Sequence, residues 1–357
     1  MSTRSTTILK SGLSALHYSR ADRLLAPAVK PAGAIVTLHQ VSPEIAPDFS
    51  PNRILRITPY FLEQTIRYVL EAGFEIIALD EVAERLADAR ERRPFICLTL
   101  DDGYKDNLQF AYPIFRRYAV PFAIYVPTDY PDGNGELWWL SLEEALRRLD
   151  QRTVDMNGAV KTFILDSAKA KSNAFDAIYW WLRGLDETVA RGLVAAWCKE
   201  AKFDREKLCA KMIMNWDELR NIAADPLATI GAHTRRHFAV SKLAANEARA
   251  EIVESMAIIS RFTGRPCRHF SFPYGDETAA GERDFLIAKA AGLVTAVTTR
   301  KGLIYEHHTS ALTALPRMSL NGDYQNLRYL KVLLTGLPFA LLDAAQQVAD
   351  LRVKIAR

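Results

Sequence analysis

The sequence of 357 residues has little of what marks several specialised protein classes. Its four cysteines are scattered and lack the C-x-x-C spacing of zinc or redox sites: Cys97, Cys198, Cys209 and Cys267. This spacing argues against a disulfide framework and predicts core thiols in a reduced compartment. Glycine (17) and proline (16) are too few for a collagen-like or disordered chain, and 49% hydrophobic with 25% charged residues predicts a globular protein.

Long hydrophobic runs are also absent. The uncharged stretch at 332–342 contains Gly336 and Pro338 and is far shorter than the ~20 residues that span a bilayer. The N-terminus has no continuous apolar core of a signal peptide, because Lys10 follows Ile8 and Leu9. We therefore predict a cytoplasmic protein without a transmembrane segment, with weak association at a membrane surface as the alternative.

Positive and negative side chains are nearly equal in number over the whole chain. The net charge is +4, from 46 Lys and Arg against 42 Asp and Glu. The first thirty residues account for all of it, with one acid, Asp22, against five bases: Arg4, Lys10, Arg20, Arg23 and Lys30. A balanced body argues against a nucleic-acid partner, since nucleic-acid faces concentrate Lys and Arg. We predict a basic, solvated N-terminal leader at 1–30 and a helical C-terminal tail at 323–357.

Apolar runs of strand length recur along the chain between amphipathic helical patterns. The strand candidates are 34–39, 74–79, 95–100, 122–126, 227–232, 269–272, 293–299 and 312–318. Two helix starts are well marked, by Thr58 before Pro59 and by Ser241. Strands that are apolar on both faces and separated by helices predict a parallel sheet, either doubly wound or closed. Seven or eight such units favour a barrel.

The alternation stops at about 129–215. This stretch has mainly helical patterns and is rich in tryptophan: Trp138, Trp139, Trp180, Trp181 and Trp197. We predict a helical insertion within a domain at 31–322. Aromatic faces suit pyranose rings, although core packing is the commoner use of tryptophan.

Polar side chains follow three of the predicted strands, at the sheet edge where catalytic residues of such folds lie. Asp101 and Asp102 follow the strand at 95–100, and His233 and His237 follow the strand at 227–232. Each pair has an ordinary explanation by itself, a turn or a structural histidine. Together they predict a metal site of two imidazoles and one carboxylate, with open positions for water and substrate.

The third strand end runs through Pro273, Tyr274 and Gly275. Pro273 and Gly275 would fix the backbone so that an amide N–H points inward, as an oxyanion donor must. A metal, a second free carboxylate and an oxyanion donor together predict hydrolysis of an acyl group.

These residues resemble the polysaccharide deacetylases of carbohydrate esterase family four, which carry the NodB homology domain and include chitooligosaccharide deacetylases. The family motif T-F-D-D-G appears as Thr99 to Gly103, and H-[ST]-x-x-H appears as His233 to His237. The motif R-x-x-R-x-P-[YF]-G is partly matched, with Ser271 at its second Arg, by Arg268, Pro273, Tyr274 and Gly275. The motifs keep the family order and span about 33–320.

The resemblance implies a distorted (β/α)7 barrel with a divalent metal, usually Zn²⁺, held by Asp102, His233 and His237. It also implies that Asp101 is the general base that takes a proton from the attacking water. The turn at Pro273 and Tyr274 would bind substrate, with the Tyr274 backbone holding the oxyanion.

Two positions depart from the family pattern. The motif L-x-H, which supplies the catalytic acid, appears here as Leu315 to Arg317, and Ser271 replaces the arginine that orients the base. We predict that Arg317 instead pairs with Asp101 and keeps that carboxylate ionised.

The catalytic acid is then without an obvious candidate on the last strand. We select His39, at the end of the first strand, with His307 and His308 as other candidates. A structural role for His39 is the alternative.

Three functions are compatible with these residues. The leading one is a metal-dependent N-deacetylase that releases acetate from N-acetylhexosamine residues of an oligo- or polysaccharide, such as a chitooligosaccharide or an exopolysaccharide. The second is a hydrolase of a small amide that is not a sugar. The third is a degenerate barrel that binds glycan without turning it over.

Overall fold

A computed structural model describes residues 3–88 and 93–345 of the chain. Its strands are β1 (Gly33–Leu38), β2 (Gln40–Val41), β3 (Arg56–Ile57), β4 (Glu75–Ile76), β5 (Phe95–Asp101), β6 (Phe122–Val126), β7 (Gln151–Met156), β8 (Ala159–Ile164), β9 (Ala228–Ala232), β10 (His269–Ser271), β11 (Thr295–Lys301) and β12 (Leu315–Ser319). Its helices are α1 (Thr3–Ser19), α2 (Ala21–Val29), α3 (Pro59–Glu71), α4 (Val82–Ala87), α5 (Tyr112–Tyr118), α6 (Trp138–Arg148), α7 (Ala168–Gly184), α8 (Glu187–Glu200), α9 (Arg205–Met212), α10 (Trp216–Ala223), α11 (Ala245–Thr263), α12 (Glu282–Ala290) and α13 (Leu327–Leu334). Residues 337–345 are also helical.

Seven parallel strands close into a barrel in the order β1-β12-β11-β10-β9-β6-β5, and pairing of β5 with β1 completes the ring. The predicted (β/α)7 barrel is confirmed, and the doubly wound alternative is wrong because β5 and β1 pair along six residues. The strand predicted at 74–79 is reduced to β4, which pairs only with the first two residues of β5. Residues 77 and 78 are neither strand nor helix, and a helical turn at Leu79–Glu81 follows them.

Side chains alternate between two layers along the barrel strands, as the pleat of a strand requires. One set packs against the surrounding helices, as Val36 and Leu98 do. The other set fills the barrel interior, where Ile35, Cys97 and Tyr125 belong to one cluster. Gly231 leaves room for the ring of Tyr125, since a Cβ at Gly231 would lie 2.5 Å from it. The interior is therefore a packed core with the polar site at one end.

The stretch at 129–215 forms a separate layer with its own hydrophobic cluster. It contains α6, α7, α8 and α9, and also an antiparallel hairpin of β7 and β8 that was not predicted. The hairpin turn is Asn157-Gly158, with φ of 61° and 88°, which is the turn chemistry that favours hairpins. The two strands escaped prediction because most of their side chains are exposed and lack an apolar alternation.

One predicted helix start is confirmed and the other is wrong. The Thr58 hydroxyl accepts a hydrogen bond from Phe61 N at 3.1 Å and caps α3. The helix assigned to a Ser241 cap begins later, at Ala245. The Ser241 hydroxyl instead donates to the carbonyl of Thr278, a partner from a distant part of the chain.

The predicted leader is helical where the structure describes it. Helix α1 packs along α13, and Leu13 is buried. The assignment of residues 1–30 as a separate leader stays a prediction. The tail predicted at 323–357 includes α13 and the helix at 337–345, and residues 346–357 lie outside the described part. Among the described residues, every helix is too short or too polar to cross a membrane. All four cysteines are buried free thiols.

Candidate active site

The polar residues predicted from strand ends meet at the carboxyl end of the barrel. Asp101 is the last residue of β5, and Asp102 follows it with φ of 74°. His233 follows β9 directly, and His237 lies four residues later with φ of 59°. Left-handed backbone at residues other than glycine is costly and clusters at functional sites. At Asp102 this backbone conformation ends the alternating side-chain directions of β5.

Asp102, His233 and His237 form a compact group whose candidate ligand atoms all lie within 4.8 Å of one another. Asp102 Oδ1 is 3.5 Å from His233 Nε2 and 3.2 Å from His237 Nε2. All three side chains are buried. The structure therefore brings together the three residues predicted as metal ligands.

The hydrogen bonds around this group leave lone pairs facing its centre. His233 Nδ1 lies 2.6 Å from the carbonyl oxygen of Ser271, which can only accept, so Nδ1 carries the proton and Nε2 is free to coordinate. Asp102 Oδ1 is buried and has no hydrogen-bond donor among the described residues. Buried oxygens are normally satisfied, and a cation among these three atoms would satisfy this one. The residues therefore fit a divalent metal, and two imidazoles with one carboxylate suit zinc.

The protonation states of the group also suit a metal. Burial, the largest influence, lowers the pKa of His237 to about 4, so the ring is neutral at neutral pH. The ring packs against those of Trp139 and Tyr274, with centroids 4.9 and 4.8 Å away. Burial acts to raise the pKa of Asp102, but the two imidazoles outweigh it and hold the pKa well below its usual value. A neutral imidazole and an ionised carboxylate are the forms that coordinate metals.

Two buried charged residues that the sequence analysis missed hold the loop between the histidines. Glu251 on α11 accepts hydrogen bonds from the backbone N–H groups of Arg235 and Arg236, at 2.8 and 3.1 Å. Arg191 on α8 donates to the carbonyl of His237 at 2.9 Å. No local motif marks either residue, because both act across the tertiary structure.

Arg317 lies against Asp101, as the sequence predicts. Its guanidinium donates to both carboxylate oxygens of Asp101, at 2.8 and 2.6 Å, and to the hydroxyl of Ser271 at 3.0 Å. Arg317 also donates to the carbonyl of Thr298 at 2.8 Å and is fully buried. Bidentate pairs of this kind fix orientation as well as charge.

This contact decides the charge of Asp101. Burial acts to raise the pKa of Asp101, but the guanidinium of Arg317 outweighs it and keeps the pKa below the ordinary value. The hydroxyls of Ser271 and Thr37 lie 3.4 and 3.5 Å from the same carboxylate oxygen. Asp101 is thus an ionised carboxylate in a buried setting beside the proposed metal ligands.

Of the three candidate acids, only His39 lies in the site. It follows β1 at the level of Asp101, because Leu38 pairs with Leu100 in the register of β1 and β5, and it lines the same cleft. His307 and His308 lie in a turn just after Ile304, which bridges to Gly33 at the opposite end of β1. Their candidacy was wrong because that turn packs at the amino ends of the strands.

The turn at 273–275 also reaches the site. Gly275 N donates to the carbonyl of Pro273 at 2.7 Å, and Tyr274 between them has φ of 61°. The Tyr274 N–H has no hydrogen-bond acceptor within the described part of the chain, so it is available to a ligand. Arg268, in contrast, lies before β10 and approaches Asp80 at 3.7 Å on the surface, away from the site.

The insertion supplies one wall of a cleft of about 250 Å³ over these residues. Trp139, from α6, and Trp180, from α7, line it, and the helical turn Pro51–Leu55 lines it as well. Four further cleft residues were not predicted: Leu55, Phe175, Asp176 and Tyr179. For the three on α7, no feature of their own sequence shows that this helix folds back over the barrel.

The other tryptophans have structural roles. Trp138 Nε1 donates to the hydroxyl of Tyr274 at 2.6 Å, while Trp197 is buried in the cluster of the insertion. Trp181 packs at the edge of the same cluster. The tryptophan-rich composition thus reflects core packing as well as the cleft.

Comparison with known proteins finds a family model that matches part of the chain. The model of the polysaccharide deacetylase family matches residues 160–295, which include the second and third motifs. The predicted resemblance to the polysaccharide deacetylases is confirmed.

A curated protein of the same family is similar over a shorter stretch. YxkH of Bacillus subtilis strain 168, named provisionally as a polysaccharide deacetylase, is 27% identical over 78 residues. These are 22% of this chain, which covers only 28% of the length of YxkH.

Solved deacetylase structures share the fold of this chain. The deacetylase PplD of Streptococcus pyogenes, solved with acetate, aligns with a TM-score of 0.56 and 14% identity, over 86% of this chain and 99% of that one. IcaB of Ammonifex degensii aligns with a TM-score of 0.53 and 14% identity, over 85% and 97%. At this identity the likeness shows the common barrel.

Proposed function

We propose that this protein hydrolyses the N-acetyl group of N-acetylhexosamine residues in an oligo- or polysaccharide of the chitooligosaccharide or exopolysaccharide type, with a divalent metal, Zn²⁺, as cofactor. Water adds to the acetyl carbon, the C–N bond breaks, and the products are acetate and a free amine. One observation carries the proposal: an ionised carboxylate held by arginine adjoins a three-ligand metal site in one cleft. The family match and the deacetylase structures that share the fold support it.

Asp102, His233 and His237 would hold the metal. When bound there, a divalent cation would make water more acidic and polarise the acetyl carbonyl. The carbonyl of Ser271 fixes the tautomer of His233, and the carbonyl of His237 is fixed by Arg191. Such partners orient ligands and raise metal affinity.

Asp101 would act as the general base. Arg317 keeps Asp101 ionised and orients its carboxylate. Asp101 lies beside the metal site because it directly precedes Asp102 in the chain. The proton that Asp101 accepts comes from the water that attacks the acetyl carbon. The Tyr274 N–H would donate to the oxyanion that develops on the acetyl oxygen.

His39 would protonate the departing nitrogen. An amine leaves poorly as an anion, so an amide substrate needs a proton donor on that side. His39 meets the geometric requirement of sharing the cleft with Asp101 and Asp102.

The aromatic wall of the insertion favours a sugar over a simple amide. Trp180 is 57% exposed although it is a large apolar ring, and Tyr179 packs edge-on against it at 5.3 Å. An exposed ring beside a catalytic cleft offers a flat apolar face, which matches the C–H face of a pyranose. The cytoplasmic location expected from the sequence stays a prediction.

Acetate release tests the proposal directly. The purified chain is incubated with N-acetylglucosamine oligomers of increasing length and with a simple N-alkyl acetamide, each with and without a chelator. We expect acetate from the oligomers, loss of activity with chelator, and recovery on adding Zn²⁺. Acetate from the acetamide alone would support the small-amide hydrolase instead. Binding of the oligomers without any acetate release, with metal present, would support the glycan-binding barrel.

A further inference from the structure

Exposed apolar side chains are concentrated near the two ends of the chain. Of the fifteen large hydrophobic residues that are exposed in the described part, six lie within 1–30 and 341–345: Ile8, Tyr18, Leu24, Leu25, Leu341 and Leu342. We call these six residues the terminal patch. The other nine are scattered over the remaining sequence, between residues 45 and 286. Concentrated exposed apolar residues mark interaction sites, whereas scattered ones are normal.

Helix α1 has one apolar face and two exposed apolar side chains away from that face. The apolar face carries Leu9, Leu13 and Leu16 at helical spacing, and α1 packs along α13. Ile8 and Tyr18 lie off this face and are 71% and 72% exposed, and the Tyr18 hydroxyl accepts a hydrogen bond from Arg328 on α13 at 2.6 Å.

The other patch residues lie on neighbouring helices. Leu24 and Leu25 on α2 are 77% and 51% exposed. Val29, at the end of α2, lies close to Gly336, since a Cβ on Gly336 would be 2.8 Å from Val29 Cγ1. The helix at 337–345, which carries Leu341 and Leu342, begins directly after Gly336. Helices α1 and α2 and the helix at 337–345 thus form one helical region on the outside of the barrel.

The positive charge of the sequence is concentrated toward its two ends. The first thirty residues have a net charge of +4, and residues 346–357, which lie outside the described part, have +2, with Arg352, Lys354 and Arg357 against Asp350. Because the whole chain carries +4, the intervening 315 residues carry −2. The acid of the first thirty residues, Asp22, is buried, while Arg20 and Lys30 are exposed. Asp343 is the one exposed acid of 337–345.

We propose that the terminal patch binds the surface of an anionic lipid membrane. Exposed apolar side chains within a segment that has an excess of lysine and arginine, as the first thirty residues have, are features of segments that lie in a membrane interface. A second copy of this chain fits less well, because two such regions would repel each other. The proposal is independent of the proposed catalytic function, since none of the patch residues lines the cleft.

Sedimentation with vesicles tests the proposal. The full chain is mixed with vesicles of phosphatidylglycerol and phosphatidylcholine in equal parts, and with vesicles of phosphatidylcholine alone. We expect binding to the anionic vesicles only, and release at about 1 M salt, where the screening length falls to about 3 Å. Equal binding to both vesicles, or no binding to either, would overturn the proposal.

A substitution locates the binding surface. The double variant Leu24→Glu and Leu25→Glu should weaken vesicle binding at least about tenfold, because it removes apolar area and adds repulsion. Leu286→Glu is the matched control, since Leu286 is 59% exposed on α12, outside the patch. Both proteins should unfold at the unchanged temperature, because the replaced side chains are exposed.

Three results would reject the assignment to this surface. The first is a double variant that binds anionic vesicles as tightly as the unmodified chain. The second is equal loss of binding in Leu286→Glu. The third is an unmodified chain that does not bind vesicles but is a dimer when measured by light scattering, with the dimer lost in the double variant. That result would show that the patch is an interface between two copies of the chain.

Discussion

The barrel and the insertion contribute to the cleft in opposite ways. The barrel provides Asp101, Asp102 and His233, each no more than 2% exposed and held by hydrogen bonds or ion pairs. The insertion provides Trp180, which is 57% exposed and has no hydrogen bond among those described. Buried and fixed groups suit a reaction that needs exact geometry, whereas an exposed ring suits contact with a variable ligand. Chemistry and selectivity are therefore expected to separate between the two regions.

The two regions are not independent, because a few buried contacts tie them together. Arg191 of the insertion holds the carbonyl of His237, and Arg183 stacks on the ring of Tyr274 at 3.8 Å while pairing with Asp276. Trp138 donates to the Tyr274 hydroxyl. The insertion thus supports the geometry of the site from outside the barrel.

The largest effect is expected at the proposed metal ligands of the barrel. His233→Ala and His237→Ala should each lower metal affinity by more than the about 10–100-fold that loss of an outer partner causes, and should abolish acetate release. Metal content after dialysis and activity are the measurements. His308→Ala is the control, because His308 lies at the opposite end of the barrel. Full metal content in both ligand variants would reject the assignment.

Asp101→Asn should distinguish the role of a general base from that of a metal ligand. We expect activity to fall about 10²–10⁴-fold, the usual contribution of a general base, while metal stays bound. Asp102→Asn is the matched comparison, and it should lose metal as well as activity. Equal metal content in the two variants would contradict the division of roles between these neighbours.

His39→Gln should slow only substrates that need a proton donor. We expect a loss of about 10² in kcat on an N-acetylated sugar and little change on an aryl acetate, whose phenolate leaves without protonation. The ratio of the two rates is the measurement. An equal loss on both substrates would indicate a structural role for His39.

Arg317→Ala should change both stability and the pH dependence of activity. Removing Arg317 leaves Asp101 buried without its cation, so the free energy of unfolding should fall by about 3–5 kcal/mol at neutral pH. The pKa of Asp101 should rise, because the guanidinium now holds it down, and the acidic limb of the activity profile should move to higher pH. Denaturant unfolding and a pH profile measure the two effects.

The sign of the stability effect can be checked by lowering the pH. The pair stabilises the fold above the ordinary pKa of a carboxyl and loses that effect as the pH falls through the depressed pKa of Asp101. The difference in the free energy of unfolding between Arg317→Ala and the unmodified chain should therefore become smaller at acidic pH. Arg317→Lys keeps a charge but not the two-point contact, and should give a smaller shift of the same direction. If the acidic limb of the activity profile is unchanged in both variants, Arg317 does not control the pKa of Asp101.

The smallest effect is expected in the insertion. Trp180→Ala should raise KM for oligosaccharides about three- to tenfold, with kcat nearly unchanged, because stacking of an aromatic face contributes to binding and not to the chemical step. An aryl acetate should be unaffected. Val189→Ala is the control, since Val189 is 54% exposed on α8 and lies outside the cleft. A fall in kcat at constant KM would show that the insertion takes part in catalysis.

Much of the fold was predictable because its signals are local. Strands that are apolar on both faces, the Thr58 cap and the tryptophan-rich break in the alternation each occupy a few neighbouring residues. The hairpin of β7 and β8 was missed although its Asn157-Gly158 turn is also local, because its exposed strands lack the pattern of a buried sheet. Ser241 was misassigned because its hydroxyl found a distant acceptor at Thr278.

The sequence by itself determined which chemical groups stand at strand ends: the aspartate pair after β5, the histidines after β9, and the turn after β10. Only the tertiary structure decided how they meet. Arg317 reaches Asp101 across 216 residues because β12 and β5 flank β1 in a closed ring, and α7 covers the cleft because the insertion folds back. Local preferences act over one or two turns of chain, whereas these contacts depend on ring closure and on burial shared among distant segments.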